Sequence, residues 1–379
     1  MTETVFTNAR VVMRDRVFDG SVQVRDGRIV DVSEGSCSGP YVEDCEGDYL
    51  LPGLIDLHTD NVEKHMVPRP GARWSAKSAV LAHDAQCAAA GITTVFDALC
   101  IGNTDVEKIR VELFHEAMRE LRRGREQGLL RIEHFLHARC EVSAENLVET
   151  FDGFQDDPML RMVSVMDHTP GVRQFTDIER YKRVQQKKLG LAPEAVDAWI
   201  DERLRVAALH SGRNRQVLLQ RLESRALPVA SHDDRTVEHV EQAAAEGITI
   251  AEFPVTMEAA RASRKHRMMI IHGAPNVVRG GSHNDNVSAM DLARNDCLDV
   301  VASDYVPSSM LLASFKLHDQ LGIPLPDAVA KVTANAAESV GLDDRGQIAV
   351  GRRADLVRVA VDEEVPFARR TWREGQRVS

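Results

Sequence analysis

Aromatic residues make up only 5% of the 379-residue chain, so its core must be filled mainly by aliphatic side chains, as the interior layers of a parallel-strand barrel are. The 6 cysteines, Cys37, Cys45, Cys87, Cys100, Cys140 and Cys297, include no CxxC pair and no zinc-finger spacing. That excludes a thiolate metal knot and leaves reduced, mostly buried thiols as the expectation. No apolar run approaches the ~18 residues of a membrane-spanning helix, so no membrane partner is expected. The opening Met1-Thr2-Glu3-Thr4-Val5 lacks the basic stretch and apolar run of an export signal, and a reducing cytoplasm is the expected location. No GxGxxG follows an early strand, which argues against a doubly wound nucleotide-binding sheet. Positive charge is in deficit as well. A net charge of −11 argues against nucleic acid as a partner of the whole surface, but a basic or metal-bearing cleft can still take an anion.

What is present is an alternation of short strands and helices. Val5–Val12 is rich in β-formers, and Asp26-Gly27 turns the chain between Ser21–Arg25 and Arg28–Val32, a hairpin signal. The far end echoes it: Ile348–Val359 reads as strand, turn, strand, and Glu374-Gly375 carries a last turn. Neither end holds enough strands to stand alone, so residues 1–51 and 342–379 are expected to pair into one small β-sandwich. Between them, residues 52–341 offer eight strands: Leu54–Leu57, Thr93–Asp97, Ile132–Leu136, Met162–Met166, Pro228–Ser231, Thr249–Ala251, Met268–Ile271 and Val300–Ala302. Helical patterns such as Ala76–Ala90, Val106–Glu126, Arg235–Glu246 and Met257–Lys265 separate them. The fold class expected is therefore α/β, a (β/α)8 TIM-type barrel joined to the sandwich. Asp177–Leu222 is a charged helical stretch too long for one crossover, and reads as a lid or an oligomer contact.

A barrel's active site lies at the C-terminal ends of its strands. Those ends carry His58 and Asp60, then His134, His137 and Glu141, then Asp167-His168, His232-Asp233-Asp234, Glu252, His272 and Asp304. Residues i and i+2 of an extended segment point the same way, so His58 and Asp60 can converge on one ion. One such histidine is usually structural. Imidazoles and carboxylates at nearly every strand end are costly to gather without a cation, and mixed His and carboxylate donors suit zinc, manganese or iron.

Pro52-Gly53-Leu54-Ile55-Asp56-Leu57-His58 resembles the first metal strand of the amidohydrolase superfamily. Asp344-Arg345-Gly346-Gln347-Ile348-Ala349-Val350-Gly351-Arg352-Arg353-Ala354-Asp355-Leu356-Val357 is similar to that superfamily's return strand. His58-Thr59-Asp60-Asn61, Pro68-Arg69-Pro70, Met166–Phe175, Ala230–Asp234, Gly273–His283 and Ser303-Asp304-Tyr305 narrow the resemblance. They look like the branch that hydrolyses the triphosphate of a 5-triphosphorylated ribose methylphosphonate. The resemblance implies two divalent ions (zinc, manganese or magnesium), with His58, Asp60, Glu141, His168, His232 and Asp304 as ligands. Asp60 replaces the superfamily's usual second histidine and hardens the site. No strand-four lysine is present, so Glu141 is implied as the bridge, and Asp304 as the residue that takes a proton from the attacking water.

Such a phosphorylated sugar needs basic groups around the metals. Lys64 and Arg69 follow strand one, Arg173 follows strand four, and Arg279 and His283 follow strand seven, where barrels often bind phosphate. A solvated surface turn is the competing reading of Arg279–His283. Attack on a phosphoric anhydride needs an activated water and neutralised oxygens more than it needs an acid. The products implied are pyrophosphate and the ribosyl 5-phosphate. The ligands are equally compatible with a deacetylase or cyclic amidase acting on a C–N bond. A homo-oligomer is also expected.

Overall fold

The strand-rich ends of the chain meet in one sheet. The computed structural model describes residues 3–39, 41–69, 71–102, 109–173, 178–189, 192–281 and 286–379. From the N-terminal end come β1 (Glu3–Val12), β2 (Val17–Arg25), β3 (Arg28–Glu34), β4 (Val42–Asp44) and β5 (Tyr49–Pro52). The barrel strands are β6 (Leu54–Thr59), β7 (Ile92–Ile101), β8 (Glu133–Glu141), β9 (Leu160–Met166), β10 (Val229–His232), β11 (Ile250–Glu252), β12 (Met269–Gly273) and β13 (Val300–Ala302). The tail adds β14 (Leu356–Asp362), β15 (Val365–Arg373) and β16 (Gln376–Arg377).

The end strands run in the order β16-β15-β14-β5-β1-β2-β3, with β4 paired to β1. Asp26 and Gly27 both have positive φ, 48° and 78°, as a two-residue hairpin of this hand requires, and Arg25 faces Arg28 across it. Glu374 and Gly375 turn the chain into β16 in the same way. Phe6 meets Trp372 edge to face at 4.8 Å, in a core shared by Val11, Val22, Ile29, Leu50 and Leu356. One expected strand is missing. Ile348–Val350 does not join a ladder; just beyond it, Gly351 N–H donates to the Ile29 carbonyl and Ile29 N–H to the Arg352 carbonyl, so the chain meets β3 through a loop.

The second sheet holds β6 to β13 in chain order. Its edges meet: Thr59 bridges Asp304, Asp304 N–H donates to the His58 carbonyl and Asp60 N–H to the Asp304 carbonyl, both at 2.9 Å. This is the (β/α)8 barrel, and each of its 8 strands overlaps the expected one. Gly53 lets the chain pass from β5 to β6, because a Cβ there would lie 2.4 Å from Thr93 Oγ1. The helices Ala76–Ala89, Ile109–Glu126, Val237–Ala245 and Met257–Lys265 fall where the periodicity places them; residues 106–108 of the second lie outside the described residues. Thr236 and Thr256 cap the last two through their hydroxyls. The long insertion is two helices, Ile178–Leu189 and Pro193–Glu223, which bury Tyr181, Val196 and Ile200 together.

Contacts group the chain into two compact units. One comprises Met1–Asp97, Ala117–Phe135 and Ile271–Ser379; the other comprises Ala98–Glu116 and Leu136–Ile270. The first holds the end sheet, β6 and β13, and the second holds β9, β10 and β11.

Candidate metal centre

In the second unit the strand ends gather imidazoles and carboxylates. β8 ends in Glu141, whose Oε1 accepts the Ser143 hydroxyl at 2.6 Å and the His168 N–H at 3.1 Å. Its Oε2 lies 2.7 Å from His168 Nδ1. Burial raises the Glu141 pKa most, but the His168 charge and the hydrogen bonds from His168 and Ser143 together outweigh it, holding the carboxyl at about 2. Burial likewise opposes charge on His168, but Glu141 and Asp233 hold the imidazole up at about 9. Just before it, Asp167 Oδ1 accepts the Thr169 N–H at 3.1 Å and the Thr169 hydroxyl, which fixes the loop that presents His168.

β10 ends in His232, whose Nδ1 lies 2.7 Å from Glu252 Oε2 at the end of β11. The Ser164 hydroxyl of β9 donates to the same oxygen at 2.8 Å, and His137 of β8 meets Ser164 Oγ. Asp233 follows His232 with φ +56°, and its N–H donates to the Glu252 carbonyl at 3.0 Å. Asp233 Oδ2 lies 3.5 Å from His232 Nε2 and 3.7 Å from His168 Nε2. Burial works against its charge, yet His232 and His168 hold the carboxyl below the usual carboxylate range. His168, His232 and Asp233 offer ligand atoms within 4.8 Å of one another.

Arg173, expected against substrate, has its guanidinium in a buried ion pair. It is 5% exposed, pairs with Asp234 Oδ1 and donates to the His232 carbonyl at 3.3 Å. Asp234 Oδ2 accepts the Ser231 hydroxyl, and the Arg173 carbonyl accepts from Arg235 Nε at 2.7 Å. A buried carboxylate draws the guanidinium inward because neither charge is tolerated there alone.

In the first unit His58 and Asp304 come together through the barrel seam described above. His58 N–H donates to Asp56 Oδ1 at 3.3 Å and Ser303 N–H to the same oxygen at 2.9 Å; burial pushes the Asp56 carboxyl up to about 6. Asp60 precedes the helix Asn61–Met66, and Lys64 Nζ sits 3.0 Å from Asp60 Oδ1 and 4.5 Å from the Tyr305 ring centroid. Asp304 has φ +57°. Gly273 gives it room, since a Cβ there would stand 3.3 Å from Asp304 Oδ2. Arg69 is exposed on its loop, Arg279 is the exposed last residue of the helix Ala274–Arg279, and His283 lies outside the described residues.

A second cluster in this unit has a different character. His83 Nε2 and His134 Nδ1 lie 2.8 Å from Asp97 Oδ1 and Oδ2. His134 Nε2 lies 3.3 Å from Asp84 and Asn61 Nδ2 lies 3.1 Å from His83 Nδ1. Those are hydrogen-bond distances, so His134 belongs to a buried network. Glu252 and Asp233 stand at strand ends, where the sequence alone gives them no separate role, and Ser164 sits mid-strand, where nothing in the sequence marks it.

The chain matches the model of the Amidohydrolase family over residues 49–375. It is 41% identical over 376 residues to the α-D-ribose 1-methylphosphonate 5-triphosphate diphosphatase of Escherichia coli (strain K12), covering 99% of this chain and 100% of that protein. Among solved structures it resembles N-isopropylammelide isopropylaminohydrolase from Burkholderia multivorans, with a TM-score of 0.66 at 16% identity, over 100% of this chain and 98% of that one. It also resembles N-acetyl-D-glucosamine-6-phosphate deacetylase from Mycobacterium smegmatis, with a TM-score of 0.65 at 15% identity over 100% of both chains. At such identities the likeness is one of fold.

Proposed function

The chain belongs to the amidohydrolase family, and we propose that it is a metal-dependent diphosphatase that cleaves α-D-ribose 1-methylphosphonate 5-triphosphate to the 5-phosphate and pyrophosphate, a step in phosphonate breakdown. The observation that carries this reading is the 41% identity over 99% of the chain to the E. coli diphosphatase. The residues fit divalent cations. Asp233 Oδ2 is buried and accepts no hydrogen bond, and Asp60 Oδ1 has the Lys64 ammonium 3.0 Å away as an ion-pair partner. Two imidazoles have Nδ1 against carboxylates, the arrangement that aims Nε2 at a metal.

The proposed ligands are His58, Asp60, His168, His232 and Asp304, with Glu141 alongside, holding two ions of zinc, manganese or magnesium. Such ions, when bound, would neutralise phosphoryl oxygens and lower the pKa of water. Asp304, held at the barrel seam by the His58 carbonyl, accepts the proton of the attacking water. Lys64, Arg69, Arg279 and His283 meet the anionic groups of the phosphorylated sugar. Water attacks the α-phosphorus and pyrophosphate departs. The division into an end domain, 1–51 with 342–379, and a barrel, 52–341, belongs to the same proposal, as do a cytoplasmic location and a homo-oligomer. No helix among the described residues is long and apolar enough to cross a membrane.

Phosphorus NMR of the reaction tests the proposal. Pyrophosphate and a 5-phosphate in equal amounts are expected. Orthophosphate without pyrophosphate, or turnover of N-acetylated sugars and hydantoins with no turnover of the triphosphate, would overturn it.

A further inference from the structure

His168 and His232 repeat one arrangement. Each has Nδ1 2.7 Å from a buried glutamate, Glu141 for His168 and Glu252 for His232. An ionised carboxylate can only accept, so Nδ1 keeps its proton, and Nε2 is the nitrogen that a metal ion can take by displacing the second proton of the imidazolium. Both Nε2 atoms face a single oxygen, Asp233 Oδ2, at 3.7 and 3.5 Å. These separations exceed a hydrogen bond. They suit three donors around one ion, because bonds of about 2.1 Å at tetrahedral angles leave donors roughly 3.4 Å apart.

Asp233 Oδ2 supplies the independent sign. It is buried and accepts no hydrogen bond, although its residue is only 3% exposed. An ionised oxygen left so is costly unless a cation satisfies it. The Asp233 backbone, at φ +56°, occupies a region that non-glycine residues seldom adopt, and the hydrogen bond from its N–H to the Glu252 carbonyl holds it there. The His83–Asp97–His134 cluster lacks both features: its atoms stand at 2.8 Å and no oxygen of Asp97 is orphaned.

Resting on the metal-dependent reading above, we infer that Asp233 is a direct metal ligand, completing with His168 Nε2 and His232 Nε2 a three-donor divalent-cation site within the second unit, while Glu141 and Glu252 orient the two imidazoles. Asp233 thus joins the ligand set, and Glu141 acts through His168.

The test strips full-length protein with a chelator and titrates it with Mn2+ or Zn2+ alone, reading bound equivalents by elemental analysis and affinity by calorimetry. Asp233→Asn keeps the volume and tolerates positive φ; Asp233→Gly removes the carboxylate and suits that φ better still. Both should retain the wild-type urea midpoint when metal-free, yet lose one equivalent of metal or bind it at least ~100-fold more weakly. Glu141→Gln and Glu252→Gln should keep the stoichiometry and weaken binding by about 10–100-fold. Wild-type stoichiometry and affinity in both Asp233 variants would overturn the inference, as would a wild-type protein that takes up no divalent ion. Product analysis of the loaded wild type is separate. Pyrophosphate release beside unchanged metal binding in Asp233→Asn rejects the ligand and keeps the function; metal loss beside no pyrophosphate does the reverse.

Discussion

Replacing Arg173 by methionine separates two roles open to a basic residue after the fourth barrel strand. Arg173 and Asp234 have side chains 5% and 1% exposed, so water screens their attraction little. The guanidinium also donates to the His232 carbonyl, which ties it to the turn carrying Asp233. Methionine retains the apolar stem and removes the charge, leaving the buried Asp234 carboxylate with the Ser231 hydroxyl against it. Breaking a buried pair on one side costs roughly 3–5 kcal/mol, whereas replacing both members by apolar groups is close to neutral. Urea unfolding of metal-free protein, followed by circular dichroism, should show that loss in Arg173→Met and recover most of it in Arg173→Met/Asp234→Leu. In kinetics, kcat and metal affinity should fall together while KM changes little, since the residue acts through His232 and Asp233. Unfolding within about 1 kcal/mol of wild type, with a raised KM alone, would show instead that Arg173 touches substrate and would refute the reasoning.

Two further outcomes follow from packing and charge. Gly53→Ala would set a Cβ 2.4 Å from Thr93 Oγ1 and 2.5 Å from Thr93 Cγ2, and Thr93 is wholly buried, so thermal unfolding should show a loss of about 1–3 kcal/mol. Thr93→Ala in the same chain should restore part of it; an unchanged midpoint in Gly53→Ala would count against the close approach. His134 is the pH probe. Burial opposes its charge, but Asp97 and Asp84 outweigh burial and hold the imidazole up at about 9. The folded state therefore binds this proton more tightly than the unfolded chain, whose histidine titrates near ~6.5. The stabilisation is full below that pH and is lost as pH rises through about 9. The urea midpoint should fall across that window, and His134→Gln should flatten the fall; equal slopes in both proteins would exclude the assigned cause.

Much of the fold was legible because buried parallel strands read as short β-branched runs bounded by glycine or proline. Gly91-Ile92-Thr93-Thr94-Val95 is one, and it opens β7. Thr236 and Thr256 cap the helices that follow them through a chemistry that is local to the chain. Ile348–Val350 carries the same β-forming residues and forms no strand, because Ile29 takes up its loop by hydrogen bonds from far along the sequence. Propensity reports what a segment can do; the partner decides whether it does so.

The site shows the same limit more sharply at Asp233-Asp234. Alternation along an extended strand pairs i with i+2, the rule that joins His58 to Asp60, and it would join His232 to Asp234. The structure reverses the assignment. Asp233 leaves the extended region at φ +56°, so its carboxylate swings to within 3.5 Å of His232 Nε2, and Asp234 turns to Arg173 and Ser231. Two adjacent, chemically identical side chains thus take opposite tasks, one neutralised by a guanidinium and one left open for a cation. Nothing in their local sequence distinguishes them. The difference is one backbone dihedral, imposed by the hydrogen bond to the Glu252 carbonyl on the neighbouring strand. For that reason the Arg173 and Asp233 variants should fail differently: the first loses stability before metal, and the second loses metal without losing stability.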